Sequence, residues 1–357
     1  MAGKITHIEV LGQTIKHLHH GNSMEREIAT LLDNHSFQKY ANLGAIAPDI
    51  FYYYHFLSPY RSAKAQFWGD LHHHKNNAEL ILDFLDQIQE MEEGDSRSKL
   101  LAFTLGYICH TAVDVITHPY IFYISGDYYN KDPQISSLAQ YNHLRVEFAL
   151  DSYLLNLRWG MSPRIYDFNQ YVDIRKKENG TKIDPIVWSF WQKSLKNVFP
   201  NEFERNYIGS EKRIIPGDVL NDSYIGFLEF HKLLDSRSTI MRGLLKVIDT
   251  ITLRKIKASV LMLPNSESID IRIMNEERRP WYFPASPSRV SQESFIELVN
   301  RSANESKLAM TVAYQYLLGE SKRDMIVKEY GGYNLDTGIR SEDVKAMKEF
   351  APLEDND

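Results

Sequence analysis

The chain has 357 residues, enough for one large core or two modest ones. Hydrophobic residues make up 43% and charged residues 25%, the balance of an ordinary globular protein and not of a disordered or fibrous one. A formal net charge of −6 argues against a broad basic surface for nucleic acid, and a single cysteine, Cys109, excludes an intrachain disulfide.

The amino terminus, MAGKITHIEVLGQTIKHLHHGN, has a lysine but no long apolar run and no small-residue cleavage site. It reads as lacking a signal peptide, which predicts a cytoplasmic protein. Within it, Ile8, Val10, Leu11, Ile15 and Leu18 form a helical stripe, with Thr6 as the expected N-cap. EREIATLLDNH reads as a second helix. SFQKYANLGAIAPDI is a helix running into a break at Gly44 and Pro48, after which Asp49 follows. FYYYHFLSPY is an aromatic loop, and Asn77–Met91 an amphipathic helix. Ser96–Thr117 is a long apolar helix that Pro119 should stop. Its segment Leu100–Ile116 comes closest to a membrane span. His110 and Asp114 break it short of the roughly 18 apolar residues required, so no transmembrane segment is expected.

SGDYYNKDPQ reads as a loop and Gln134–Leu157 as the next helix. Three later segments look helical: IVWSFWQKSLKNVF, SYIGFLEFHKLLDSRSTIMRGLLKVIDTITLRK and SQESFIELVNRSANESKLAMTVAYQYLLG. ERRPWYFPASP is a proline-rich connector, and IDIRI at 269–273 is the one tempting strand. The pattern predicts an all-α multi-helix bundle. Residues 1–160 are expected to form the helical core. Residues 161–357 should be a mostly helical remainder packing on that core within the same domain.

Of 13 histidines, 12 lie between His7 and His143, which places the chemistry in the first part of the chain. In LGYICHTAVDVITHPYI, His110, Asp114 and His118 fall at i, i+4 and i+8 and project from one side of a helix. The next helix repeats the device with His143, Glu147 and Asp151. Metal sites in helical bundles are built this way, from imidazoles and carboxylates converging across facing helices. A solvated or merely structural role is the ordinary reading of one such pair. Here His110 and Asp114 lie among Leu101, Phe103, Leu105, Ile108, Val113 and Ile116, where an unpaired polar group costs about 2–7 kcal/mol. Six ligand-type groups exceed the needs of one ion. Zinc suits the donors, and iron or manganese tolerate the same set. Asp49 and one histidine of WGDLHHHKNN have the right chemistry to join them. The other two histidines of the triplet are expected to be solvated. Asp151, one turn beyond Glu147, could orient a ligand histidine. Cys109 reads as a buried core thiol.

The succession of His7, LGAIAPDI, WGDLHHHKNN, GYICHTAVDVITHP and HLRVEFALD resembles the zinc-dependent phospholipase C family, whose relatives include zinc-dependent single-strand nucleases. The resemblance implies an all-α bundle holding two or three zinc ions around a phosphodiester. Carried over motif by motif, Asp49, His73, His110 and Asp114 would hold one ion, and His118, His143 and Glu147 a second. Asp114 would bridge to a third, shared with His7. Asp49 would orient or deprotonate the attacking water. Phe51 and Tyr52, just after the aspartate, would line the pocket of a phospholipid head group. The chain departs from the secreted enzymes of that family in beginning Met-Ala-Gly-Lys, without their amino-terminal tryptophan.

The rival enzyme reading is a nuclease or other phosphodiesterase, which the acidic balance disfavours. The rival from another class is a non-catalytic bundle stapled by metal, with the later helices binding a partner. Glu-x-x-His pairs, a Gly-x-Ser-x-Gly elbow and a P-loop are absent.

Overall fold

A computed structural model describes residues 3–175, 182–252, 257–341 and 346–353. In chain order the helices are α1 (Lys4–His19), α2 (Ser23–Asp33), α3 (Gln38–Gly44), α4 (Pro59–His74), α5 (Asn77–Gln89), α6 (Asp95–Ser125) and α7 (Pro133–Trp159). They continue with α8 (Asn169–Val172), α9 (Pro185–Val198), α10 (Pro200–Asn206), α11 (Val219–Leu233), α12 (Thr239–Ile251), α13 (Phe295–Leu317) and α14 (Arg323–Tyr330). A 3₁₀ turn, Ala47–Tyr53, joins α3 to α4. Two small antiparallel hairpins, β1 (Trp281–Phe283) with β2 (Ser286–Ser291) and β3 (Tyr333–Asn334) with β4 (Ile339–Arg340), complete the described residues. The fold is all-α.

Helix α6 is the axis of the bundle, with α1, α3, α5, α7 and α13 packed around it. By length and composition alone it could cross a membrane, although His110 and Asp114 interrupt its apolar run. Its apolar window is instead 89% buried inside the protein. One hydrophobic cluster runs from Ile5 on α1 to Tyr330 at the end of α14, with Trp68, Trp191 and Trp281 among its largest members. Helices α3 and α6 approach closely because two glycines face each other's backbone. A Cβ on Gly44 would lie 2.0 Å from the Phe103 carbonyl oxygen, and one on Gly106 would lie 2.0 Å from that of Ala41.

Four local expectations are corrected. Proline 119 does not end α6, which continues to Ser125. The helix runs on without one hydrogen bond, and Gly338 packs beside Pro119 and the Val115 carbonyl, where a Cβ would clash. Thr6 is not the N-cap of α1; Gly3 is, and it offers no side chain. IDIRI folds as a 3₁₀ turn, Ile271–Met274, capped by Asp270, whose side chain accepts from Arg272 N. The connector WYFPASP supplies the strands of the first hairpin instead. Aromatic and β-branched residues favour a pleated, half-buried ribbon, so Trp281 and Phe283 point inward and Tyr282 outward.

Candidate metal centre

Five elements deliver eight ligand-type side chains to one buried place. Helix α6 contributes His110, Asp114 and His118 from one face, and α7 contributes His143 and Glu147. His7 comes from α1, His73 from the last turn of α4, and Asp49 from the 3₁₀ turn. None of the eight is more than 4% exposed.

Asp114 is the hub. Its Oδ1 lies 3.3 Å from His7 Nε2 and 3.4 Å from His118 Nε2; its Oδ2 lies 2.9 Å from His110 Nε2 and 3.5 Å from His73 Nε2. Asp49 Oδ1 is 3.3 Å from His73 Nε2, and His143 Nε2 is 3.0 Å from Glu147 Oε1. The rings of His7 and His110 stack at 4.3 Å. Ligand atoms within 4.8 Å of one another define three groups: His7, His110 and Asp114; Asp49, His73 and His110; His118, His143 and Glu147.

These atoms are close but not satisfied. The Nε2 atoms of His7, His73, His110 and His118, Oδ1 of Asp49 and both oxygens of Asp114 are buried without a hydrogen-bond partner. Buried polar atoms are almost always paired, so a concentration of orphans aimed at a common point needs an explanation. The far side of three rings provides it. Nδ1 of His73 donates to the Gly69 carbonyl at 2.8 Å, that of His110 to Ala45 at 2.9 Å, and that of His118 to Leu335 at 2.9 Å. A carbonyl can only accept, so each Nδ1 carries the proton. On a neutral ring Nε2 then presents a lone pair inward, the tautomer that metal-ligating histidines adopt.

The electrostatics agree. Burial lowers His110, and lowers His118 to about 4, so both rings are neutral at pH 7. Burial also acts to lower His73, but the carboxylates of Asp114 and Asp49 outweigh it and hold the ring well above its ordinary value, so in the metal-free chain its Nε2 carries a proton that a bound cation would displace. Burial acts to raise Asp114, yet His110, His118 and His7 hold it well below the usual carboxylate range. The centre therefore demands positive charge. Divalent cations with mixed imidazole and carboxylate ligands meet that demand, and zinc fits this donor set.

Features outside the sequence reading complete the site. The turn between β3 and β4 ties two ligand helices together: Leu335 accepts from His118 through its carbonyl and donates its N–H to the His73 carbonyl at 2.8 Å. Next to it, buried Asp336 accepts from His74 Nε2 at 2.8 Å and from the Tyr129 hydroxyl. Tyr128 of the loop before α7 stands 5.4 Å from His143, ring to ring. The only sequence signal for this turn is YNLDTG, a turn-former string far from the histidine-rich region.

The remaining nominated residues fall as follows. Tyr52 is partly buried, 5.9 Å from the His73 ring, with its hydroxyl donating to Asp70 at 3.0 Å. Phe51 does not reach the centre. It is fully buried between His72, at 4.9 Å, and Trp191, at 5.3 Å, because neighbours in a tight turn face different ways. The other triplet histidines are not solvated. His72 is a core residue accepting from Trp191 Nε1 at 3.2 Å, and His74 pairs with Asp336. Cys109 is buried, with the Ser306 hydroxyl 3.5 Å from its sulfur.

Asp151 orients no ligand ring directly. Its carboxylate accepts from Ile5 N at 3.1 Å, Thr6 N at 2.8 Å and Thr6 Oγ1 at 2.9 Å, so it caps α1 from across the bundle and fixes the turn that carries His7. Burial pushes this carboxyl up to about 6, against Lys4 and these three bonds, which lower it. The folded carboxyl is thus the weaker acid. Its contribution to folding is full below about pH 4 and is lost as pH rises through 6. Urea titrations of metal-free wild type and Asp151→Asn across that window should show the wild type losing up to about 3 kcal/mol more than the variant. Parallel pH profiles would remove this role.

Fold and centre together define a helical protein whose buried histidines and carboxylates fit zinc binding. The sequence model of the zinc-dependent phospholipase C family matches residues 6–201, more than half of the chain and a span that contains the centre. The chain belongs to that family. No curated protein and no solved structure matches it.

Proposed function

We propose that this protein hydrolyses a phospholipid at the head-group phosphodiester, using two or three zinc ions held by His7, Asp49, His73, His110, Asp114, His118, His143 and Glu147. The observation that carries this reading is the convergence of orphaned Nε2 and carboxylate oxygen atoms whose ring tautomers are fixed from behind. Bound zinc would lower the pKa of a water to about 7 and neutralise phosphoryl charge. Asp49 holds the attacking water and takes its proton at the carboxylate. Tyr52 and Tyr128, partly exposed beside His73 and His143, form the aromatic entrance that admits the head group. His73, His110 and His118 keep their Nδ1 protons on carbonyls throughout, which holds these three rings in place during turnover.

The test is elemental mass spectrometry of the purified protein, followed by turnover assays. Phosphatidylcholine vesicles, a soluble aryl phosphodiester and single-stranded DNA are the substrates. Two or three zinc ions per chain with phospholipid cleavage are expected. Iron or manganese in their place would change the metal but not the site. Asp49→Asn is expected to lower turnover by about 10²–10⁴-fold while the His118 group keeps its metal. Cleavage of DNA alone would make the protein a nuclease. A metal-loaded chain inert on all three substrates would make the centre structural.

A further inference from the structure

The stretch IFYYYHFLSPYRSAKAQFWG, residues 50–69, contains no Asp or Glu, in a chain that holds 47 of them. It leads from the 3₁₀ turn of Asp49 and Tyr52 into α4, whose last turn carries His73. Where it bends, the protein leaves large side chains uncovered: Leu57 is 79% exposed and Tyr60 80%. Ala63 and Phe67 follow Tyr60 at i+3 and i+7 on the same face, the first exposed and the second partly buried. Asp70 and His74 continue that face at i+10 and i+14, beside Tyr52 and Tyr129. Apolar residues exposed singly are normal; a tip and a helix face joined in one line mark a surface that meets something.

Two cations say what that is. Lys64 lies one turn after Tyr60, with its Nζ 5.3 Å from the centre of the Tyr60 ring, and Arg61 follows Tyr60 directly. Tyr60, Lys64 and Arg61 fall within about 100° of the helix circumference. Both cations are exposed, and neither forms an ion pair or hydrogen bond with a described residue. The carboxylates beside the segment are turned to other partners: Asp70 accepts from the Tyr52 hydroxyl, and Asp222 faces His55 at 3.7 Å. A second copy of this chain, docked patch to patch, would set Arg61 and Lys64 against their own counterparts. A bilayer containing anionic lipid meets both features: its interface takes Tyr and Leu side chains, and its head groups take the two positive charges. We infer that Leu57, Tyr60, Arg61 and Lys64 form a contact by which α4 lies along an anionic membrane surface. A bilayer on this face reaches from the tip at Leu57 to His74, next to the aromatic entrance of the centre. Contact of this kind needs the patch and not the metal, so it holds whether or not the centre cleaves a phosphodiester.

Flotation of the full chain, as purified, with vesicles on ice tests it, with head-group release followed in parallel so that binding and cleavage are read separately. Binding to phosphatidylcholine vesicles containing phosphatidylserine should exceed binding to pure phosphatidylcholine by about tenfold, and should fall at high salt. Leu57→Ser with Tyr60→Ser should lose about tenfold of the binding to anionic vesicles. Arg61→Glu with Lys64→Glu should bring that binding down to the level of neutral vesicles. All four side chains are exposed, so unchanged thermal melts are expected for both variants. Binding indifferent to phosphatidylserine would overturn the proposal, as would equal flotation of wild type and the Leu57, Tyr60 variant, or no vesicle binding at all. A wild-type dimer in sedimentation velocity that the same variant dissolves, without vesicle binding, would assign the patch to a second copy and overturn it too.

Discussion

Asp114→Asn should abolish both metal binding and turnover, with a loss larger than the roughly 10–100-fold that follows removal of a group behind a ligand. The reason is its position. Four imidazole nitrogens lie within 3.5 Å of its two oxygens, and it belongs to the group with His7 and His110 while touching His73 and His118. An asparagine keeps the volume but removes the negative charge that draws cations into the site. The same substitution should destabilise the metal-free protein. In that state the carboxylate is the buried counter-charge to the surrounding histidines, and removing one partner of such a pair costs about 3–5 kcal/mol. Added zinc should then raise the melting temperature of wild type, by binding the native state, and leave the variant nearly unmoved. Elemental analysis, a phosphodiester assay and paired thermal melts check all three. Retained metal and retained turnover in the variant would remove Asp114 from the centre.

Gly338→Ala is the second large effect, and it acts from outside the segment matched to the family. Gly338 has φ +65°, in the left-handed region, which costs an L-residue about 1–2 kcal/mol. A Cβ there would also lie 2.5 Å from both Pro119 Cγ and the Val115 carbonyl oxygen. Neither atom is the end of a flexible chain, so the β3–β4 turn must move. We expect a destabilisation of about 2–4 kcal/mol. Moving the turn withdraws the Leu335 carbonyl from His118 Nδ1 and loosens the link from Leu335 N–H to the His73 carbonyl. The His118, His143 and Glu147 group should lose about 10–100-fold in zinc affinity. Competition titrations against a chelator, at a temperature where the variant is folded, separate this loss from instability. Unchanged affinity would mean that the turn packs against the centre without shaping it.

Much of the site was legible because its spacing is local. His110, Asp114 and His118 share a face by helix geometry alone, as do His143 and Glu147, and the same geometry made α6 and α7 visible as helices. The capping boxes that start α2 at Asn22 and α13 at Ser294 are local signals of the same kind. Where the reading failed, a distant partner had overruled the local rule. Proline 119 stays within α6, with Gly338 of the distant β3–β4 turn packed beside it. His72 is buried because Trp191 donates to it, and Asp151 serves α1 and not a ligand ring. Phe51 and Tyr52 are adjacent in sequence, and only the packing of α9 against the 3₁₀ turn decides which one faces the centre.

By itself, then, the sequence determined the helical class, the two ligand stripes and the chemical character of the centre. Each of these follows from residue type and a periodicity of 3.6. The tertiary structure decided which nitrogen of His110 and His118 faces inward. That choice depends on the carbonyls of Ala45 and Leu335, and a backbone carbonyl leaves no mark in residue identity. It also decided that the turn at 333–340 closes the site on helices more than two hundred residues earlier in the chain. Contacts of that range are set by the packing of the whole bundle, which no local pattern encodes.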